Sequence, residues 1–105
     1  MTLAGTAGRK GEADGTGSAA RFWIPTGIAV SAQGIVYVAD NLNCNIRQIN
    51  PAGVVTTLAG DCRAFGSADG TGLNASFNCP FGLAVAADGT VYMADAANHT
   101  IRVVR

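Results

Sequence analysis

Charge is scarce in this chain of 105 residues and cancels, with seven Lys and Arg against seven Asp and Glu, 13% of the sequence in all. That balance lowers the expectation of nonspecific nucleic-acid binding while leaving room for a local basic patch. Histidine occurs once, as His99, with no second or third ligand beside it, so the sequence supplies no zinc set and points to no metal or other cofactor. No apolar run reaches the 18 residues needed for a helical membrane span. The N-terminus lacks the basic region and apolar run of a secretory leader, which favours an intracellular setting without fixing the compartment. Prolines number three and cysteines three, an odd set that cannot all pair within one chain. Against these shortages stand 49% hydrophobic residues and 14 glycines, a globular composition with many turns.

What the sequence does contain, it contains twice. Residues 2–50 reappear without a gap at 57–105 under a constant offset of 55. Leu3-Ala4-Gly5 falls on Leu58-Ala59-Gly60, Asp14-Gly15-Thr16-Gly17 on Asp69-Gly70-Thr71-Gly72, and Phe22, Pro25, Asp40 and Asn43 on Phe77, Pro80, Asp95 and Asn98. Such periods belong to propellers, solenoids and arrays, in which one unit buries its apolar face only by stacking on a neighbour.

Short apolar segments bounded by turn residues predict strands at Gly27–Val30, Ile35–Ala39, Asn45–Ile49 and Val54–Ala59. The second copy repeats the first three at Gly82–Val85, Val91–Ala94 and Thr100–Val104. Ser31-Ala32-Gln33-Gly34 and Ala86-Ala87-Asp88-Gly89 read as hairpin turns, and Pro51 marks another because it cannot sit inside a ladder. No segment of 12 residues carries a helical stripe. The fold class is therefore all-β, two four-stranded propeller blades. Residues 1–60 hold an outer-strand segment and the first blade; residues 61–105 hold a connecting loop and a second blade without its outer strand.

The stretches Pro25-Thr26-Gly27-Ile28-Ala29-Val30, Val36-Tyr37-Val38-Ala39-Asp40 and Asn43-Cys44-Asn45-Ile46-Arg47 resemble an NHL repeat. Pro80 to Val85, Val91 to Asp95 and Asn98 to Arg102 resemble a second. The resemblance implies a β-propeller, most often of six blades. It fixes activity far less well, because some members bind proteins or RNA and others are lyases or hydrolases. The inner strands here offer no titratable side chain, so catalysis would have to come from blades outside this sequence. A noncatalytic protein-interaction scaffold is the favoured reading, with no catalytic residue assigned.

Asp40, Asn43, Asp95 and Asn98 recur after each second strand and are read as structural turn residues, the Asp accepting turn N–H bonds and the Asn capping the strand entry. Phe22 and Phe77 are read as plugs between blades. The long connection from Asp61 to Cys79 lies on the side of the Asp40–Asn45 turn and makes the expected partner surface, with Arg9, Lys10, Arg21, Arg63 and His99 its candidate contacts. Its Gly-Thr-Gly lacks a P-loop's Lys and helix, and its carboxylates lack EF-hand spacing. Arg47 and Arg102 would recur around a ring and could follow a phosphate backbone, which keeps RNA open as an alternative partner. Acidic residues in the same loops favour instead a mixed face, with both arginines answering carboxylates or turn carbonyls. Cys62 and Cys79 flank the long loop and could close it for about 3 kcal/mol, but free thiols are favoured without a secretory signal.

Two blades do not close a propeller, which needs four to eight. Thr2-Leu3-Ala4-Gly5 has the sequence of the outer strand that the second unit lacks. The expectation is head-to-tail strand completion between copies, giving a cyclic homotrimer of six blades.

Overall fold

A computed structural model describes residues 1–61 and 75–104. Among these residues eight strands run β1 Gly15–Thr16, β2 Pro25–Val30, β3 Val36–Asp40, β4 Asn45–Ile49, β5 Val54–Ala59, β6 Pro80–Val85, β7 Val91–Asp95 and β8 Thr100–Val104. They form two antiparallel sheets, a five-stranded one ordered β1-β5-β4-β3-β2 and a three-stranded one ordered β6-β7-β8. Strands β2 to β5 make the first blade and β6 to β8 the second. The expected four strands of the first blade gain a fifth, because Gly15 and Thr16 of the connecting loop pair with Val55 and Val54 on its outer edge.

Local chemistry sets these strands. Gly34 and Gly89 end the β2–β3 and β6–β7 hairpins at φ 83° and 89°, a left-handed backbone that glycine adopts without steric cost. Strand β3 is apolar on successive residues because both of its faces are covered. Tyr37 and Ala39 point with Ile46 and Ala59 into a core shared with Phe77, Val91, Met93 and Val104 of the second blade. Val38 points the other way, with Ile49, Val55 and Ala20. The inner strands β2 and β6 approach so closely that a Cβ at Gly27 would collide with the Phe81 carbonyl oxygen. Thr26 Oγ1 donates to Pro80 O at 3.3 Å and Phe81 O at 3.1 Å, and Asn41 Nδ2 to Pro80 O at 3.2 Å.

Residues 2–5 form no strand; the Gly5 N–H donates to Gly17 O, and Gly5 lies 3.2 Å from the Phe22 ring as a notional Cβ would measure it. Gly60 stands against Phe77 in the same way. The N-terminal segment thus sits on the first blade as β5 sits on the second. No helix of the described residues is long and apolar enough to cross a membrane.

Candidate functional site

Each blade carries an Asp, an Asn and an Arg that the register of two strands brings together. Asp40 ends β3 opposite Asn45, and Arg47 stands opposite Val38. Both Asp40 and Arg47 are 0% exposed, and a charge so placed persists only with partners. Asp40 Oδ2 accepts from Asn43 Nδ2 at 2.6 Å and from Arg47 Nη1 at 3.1 Å, while Oδ1 accepts from the Trp23 N–H at 2.8 Å. Arg47 also donates to Arg21 O at 2.7 Å, Ala13 O at 3.0 Å and Asp14 Oδ1 at 2.7 Å, and its guanidinium lies 4.9 Å over the Phe22 ring. Burial pushes the Asp40 carboxyl up from its ordinary range, and the Trp23, Asn43 and Arg47 donors offset only part of that rise.

The second blade repeats the device. Asp95 accepts from the Asn78 N–H at 2.8 Å, Asn98 Nδ2 at 2.7 Å and Arg102 Nη1 at 2.8 Å, and Arg102 donates to Ser76 O at 3.0 Å and lies 4.9 Å over Phe77. The geometry differs from an Asx-turn. Neither Asp makes a side-chain cap on the following turn; each reaches the N–H of a loop residue 17 positions upstream. Asn43 likewise reaches across to Gly11 O at 2.7 Å. What the set does chemically is hold the connecting loop down by its backbone. It also takes Arg47 and Arg102 out of reach of an external phosphate, since they are 0% and 6% exposed.

Above this buried layer lies the loop face. The first connecting loop folds on itself through a Thr6–Arg9 turn and a Lys10–Phe22 bridge. It joins the turn after β3 through Leu42 N to Trp23 O at 3.1 Å and Asn41 N to Ile24 O at 3.3 Å. Arg9 and Lys10 are exposed, with Lys10 Nζ 4.9 Å above the Trp23 ring. They border an open groove of about 690 Å³ with Gly8, Phe22, Trp23 and Ile24. Arg21 belongs to the scaffold more than to this surface, because one guanidinium nitrogen donates to Ser18 O at 2.7 Å, Ala20 O at 2.9 Å and Thr6 Oγ1 at 3.3 Å. His99 is exposed in the second blade's equivalent turn, and no hydrogen bond or ion pair among the described residues joins it to Arg9 or Lys10. Arg63 lies outside the described residues, as do Cys62 and the loop motif from Asp69 to Gly72.

Sequence reasoning passed over Trp23, Ile24 and Leu42, which are 36%, 56% and 40% exposed on this face. A signal was available, since the repeat places Asn78, Cys79 and Ala97 at those positions. Ile24 also takes a left-handed φ of 53°, unusual for a β-branched residue. Its counterpart Cys79 does the same at 63°, as do Cys44 and His99 at 55° and 58°. Recurrence at equivalent positions makes this strain a demand of the blade joint and not a mark of chemistry. Cys44 and Cys79 are free thiols. The Cys44 sulfur is buried beside the Cys79 N–H, and that burial raises its thiol above the ordinary value. Among the described residues no three His, Cys, Asp or Glu side chains gather into a metal-holding group.

Comparison with known proteins agrees with this architecture. Residues 4–63 match the Teneurin NHL domain family and residues 77–104 the NHL repeat family. The chain is 37% identical over 94 residues to human Teneurin-4, covering 76% of this chain and 3% of that one. It is 35% identical over 97 residues to bovine NHL repeat-containing protein 2, covering 90% of this chain and 13% of the relative. A solved protein of unknown function from Bacteroides thetaiotaomicron superposes with a TM-score of 0.89 at 31% identity, over 95% of this chain and 26% of that one. An auxiliary nutrient binding protein from Bacteroides ovatus superposes with a TM-score of 0.84 at 29% identity, over 96% and 27%. The chain therefore spans a small part of these relatives. With two ungapped repeats, a buried Asp–Asn–Arg set in each and matches across both blades, the chain belongs to the NHL-repeat family.

Proposed function

We propose that these blades act as a noncatalytic scaffold that binds a partner protein through the connecting-loop face. The observation that supports this most is the exposed Trp23 with Lys10 stacked on its ring beside an open groove of about 690 Å³. A half-exposed indole supplies a large rigid contact at low entropic cost, and residues of this type dominate protein interfaces. Lys10 and Arg9 add a local positive charge that suits a segment carrying both an apolar anchor and a carboxylate. Burial of Arg47 and Arg102 removes the two repeated cations that a nucleic-acid backbone would have used, so protein is favoured over RNA.

A displayed random-peptide library selected on the immobilised chain tests the reading, with Trp23→Ala and Lys10→Glu as parallel baits. Peptides that carry an acidic residue and bind the native chain at least about tenfold more tightly than Trp23→Ala, a loss of ~1.4 kcal/mol, would support it, provided both variants melt as the native chain does. Selected peptides indifferent to both changes would refute it. Retention of single-stranded RNA that weakens steeply with salt and is lost in Lys10→Glu would transfer the same face to RNA.

A further inference from the structure

Two of the chain's three cysteines stand on opposite sides of the joint between the blades. Cys44 ends the turn that follows β3, and Cys79 leads into β6. The turn and the strand entry are tied together around the pair. Asn41 Nδ2 donates to Pro80 O at 3.2 Å, and Gly60 packs at once on the Cys44 carbonyl and the Phe77 ring. Between these contacts the Cys44 sulfur lies against the Cys79 N–H. Both backbones are pinned, because the Cys44 N–H donates to Asn41 O at 3.2 Å and the Ala96 N–H to Cys79 O at 3.2 Å, while the Asn78 N–H is held by Asp95 at 2.8 Å. Within Cys79 only Cα and Cβ separate the amide nitrogen from the sulfur, so a sulfur that touches the one stands a single χ1 rotation from the other. The Cys79 thiol donates to Asn78 Oδ1 at 3.6 Å, a weak bond that such a rotation gives up at little cost. The counterparts His99 and Ile24 share the left-handed backbone of Cys44 and Cys79, so the blade geometry itself asks for no cysteine at either place.

We propose that Cys44 and Cys79 form a dithiol site that a small disulfide oxidant converts into a covalent bond between the blades. Cys79 is half-buried and Cys44 only 9% exposed, so the oxidant reaches Cys79 first. As thiolate, Cys79 attacks one sulfur of the oxidant RSSR; the S–S bond breaks, and RS⁻ leaves and takes up the proton that Cys79 gave. The Cys44 thiol then loses its proton to water. Its sulfur attacks the Cys79 sulfur of the mixed disulfide and expels the second RS⁻, which is protonated in turn. Two protein thiols are oxidised and one RSSR is reduced to two RSH, with no other reactant. Burial raises the Cys44 thiol, which suits it to this second, intramolecular step, where proximity makes up for a small thiolate fraction.

The bond closes residues 44 to 79 into a covalent loop that includes β4 and β5, and it fastens the first blade's turn to the second blade's inner strand. Packing and hydrogen bonds that hold the joint are thereby backed by a link that unfolding leaves intact. The site stands apart from the partner reading, since neither thiol borders the Trp23 groove.

Oxidised glutathione added to the folded chain, followed by blocking of free thiols and tryptic digestion without reduction, tests the site. Cleavage after Arg21, Arg47, Arg63 and Arg102 puts Cys44, Cys62 and Cys79 on three different peptides. The expected product joins peptides 22–47 and 64–102, and it forms equally in Cys62→Ser. It should raise the melting temperature by roughly 10–20 °C, and dithiothreitol should reverse the gain. Cys44→Ser should stop at the mixed disulfide, with glutathione held on Cys79, whereas Cys79→Ser should leave Cys44 unmodified. Should either variant fail to fold, the native chain and Cys62→Ser decide the matter by themselves. No bridge, a bridge from Cys62, disulfide-linked copies, or a Cys44–Cys79 bridge formed only in urea would each overturn the site. A bridge that leaves the melting temperature unchanged would overturn its role as a tie between blades.

Discussion

Removing the carboxylate of Asp40 tests what secures the blade to its loop. Asp40→Ala leaves the Arg47 guanidinium, 0% exposed, without the buried one of its two carboxylate partners. Asp14 still holds Nη2 at 2.7 Å but is itself 48% exposed, so solvent screens what it offers. Breaking a buried ion pair costs ~3–5 kcal/mol, and the remaining Asp14 contact argues for the lower end, ~3 kcal/mol. For a domain of this size each kcal/mol moves the melting temperature ~4–8 °C, which gives a fall of roughly 12–24 °C. Thermal circular dichroism and urea titration would measure it. Arg47→Met should cost a similar amount, and the double variant less than the sum by about 2 kcal/mol, because neither charge is then stranded. Amide exchange supplies a local readout: the Trp23 N–H, bonded to Asp40 at 2.8 Å, should lose protection first. A melting point within about 3 °C of native, with Trp23 still protected, would falsify the assignment of Asp40 as the loop's anchor.

Ile24→Asn should stabilise the fold by about 1 kcal/mol, because a β-branched residue at positive φ costs ~1–2 kcal/mol and Ile24 is 56% exposed with little burial to lose; a lower melting point would contradict the strain. Gly27→Ala should destabilise by ~1–3 kcal/mol through its collision with Phe81, visible as an earlier urea midpoint. Burial raises the Cys44 thiol, so the unfolded chain loses its thiol proton first and stability should decline as pH climbs past the ordinary thiol value of ~8.5. In the native state iodoacetamide should label the Cys44 peptide about tenfold more slowly than in urea, and equal rates would show an open thiol.

The strands could be read from the chain because their signals are local. Gly34, Gly53 and Gly89 end hairpins and apolar runs fill the strands between, so β4, β5 and β8 fall on the expected residues, β2, β6 and β7 extend by one or two, and β3 is shifted by one. The strand at Gly15–Thr16 escaped notice because two residues carry no periodicity, and its pairing depends on β5, about 40 positions away. Arg47 illustrates the limit at the site. Carboxylates or turn carbonyls were foreseeable as its partners, but not that they would be Asp14, Ala13 O and Arg21 O, separated from it by up to 34 residues. The residue type of Trp23 does not mark it as a surface group, since large apolar side chains mostly go inside, whereas comparison of the two copies, with Asn78 at its position, marks it as a residue the repeat does not require.

The connecting loop is gripped by its main chain. Asn43 holds Gly11 O, and Arg47 holds Ala13 O and Arg21 O. Every peptide unit offers the same carbonyl whatever its side chain, so the grip is blind to the identity of Arg9, Lys10, Glu12 and Ala13, all of them exposed. Rewriting those four residues changes what the surface presents without loosening what carries it. What the loop presents and what keeps it in place are thereby carried by different atoms, so its surface chemistry can vary while the blade beneath stays the same.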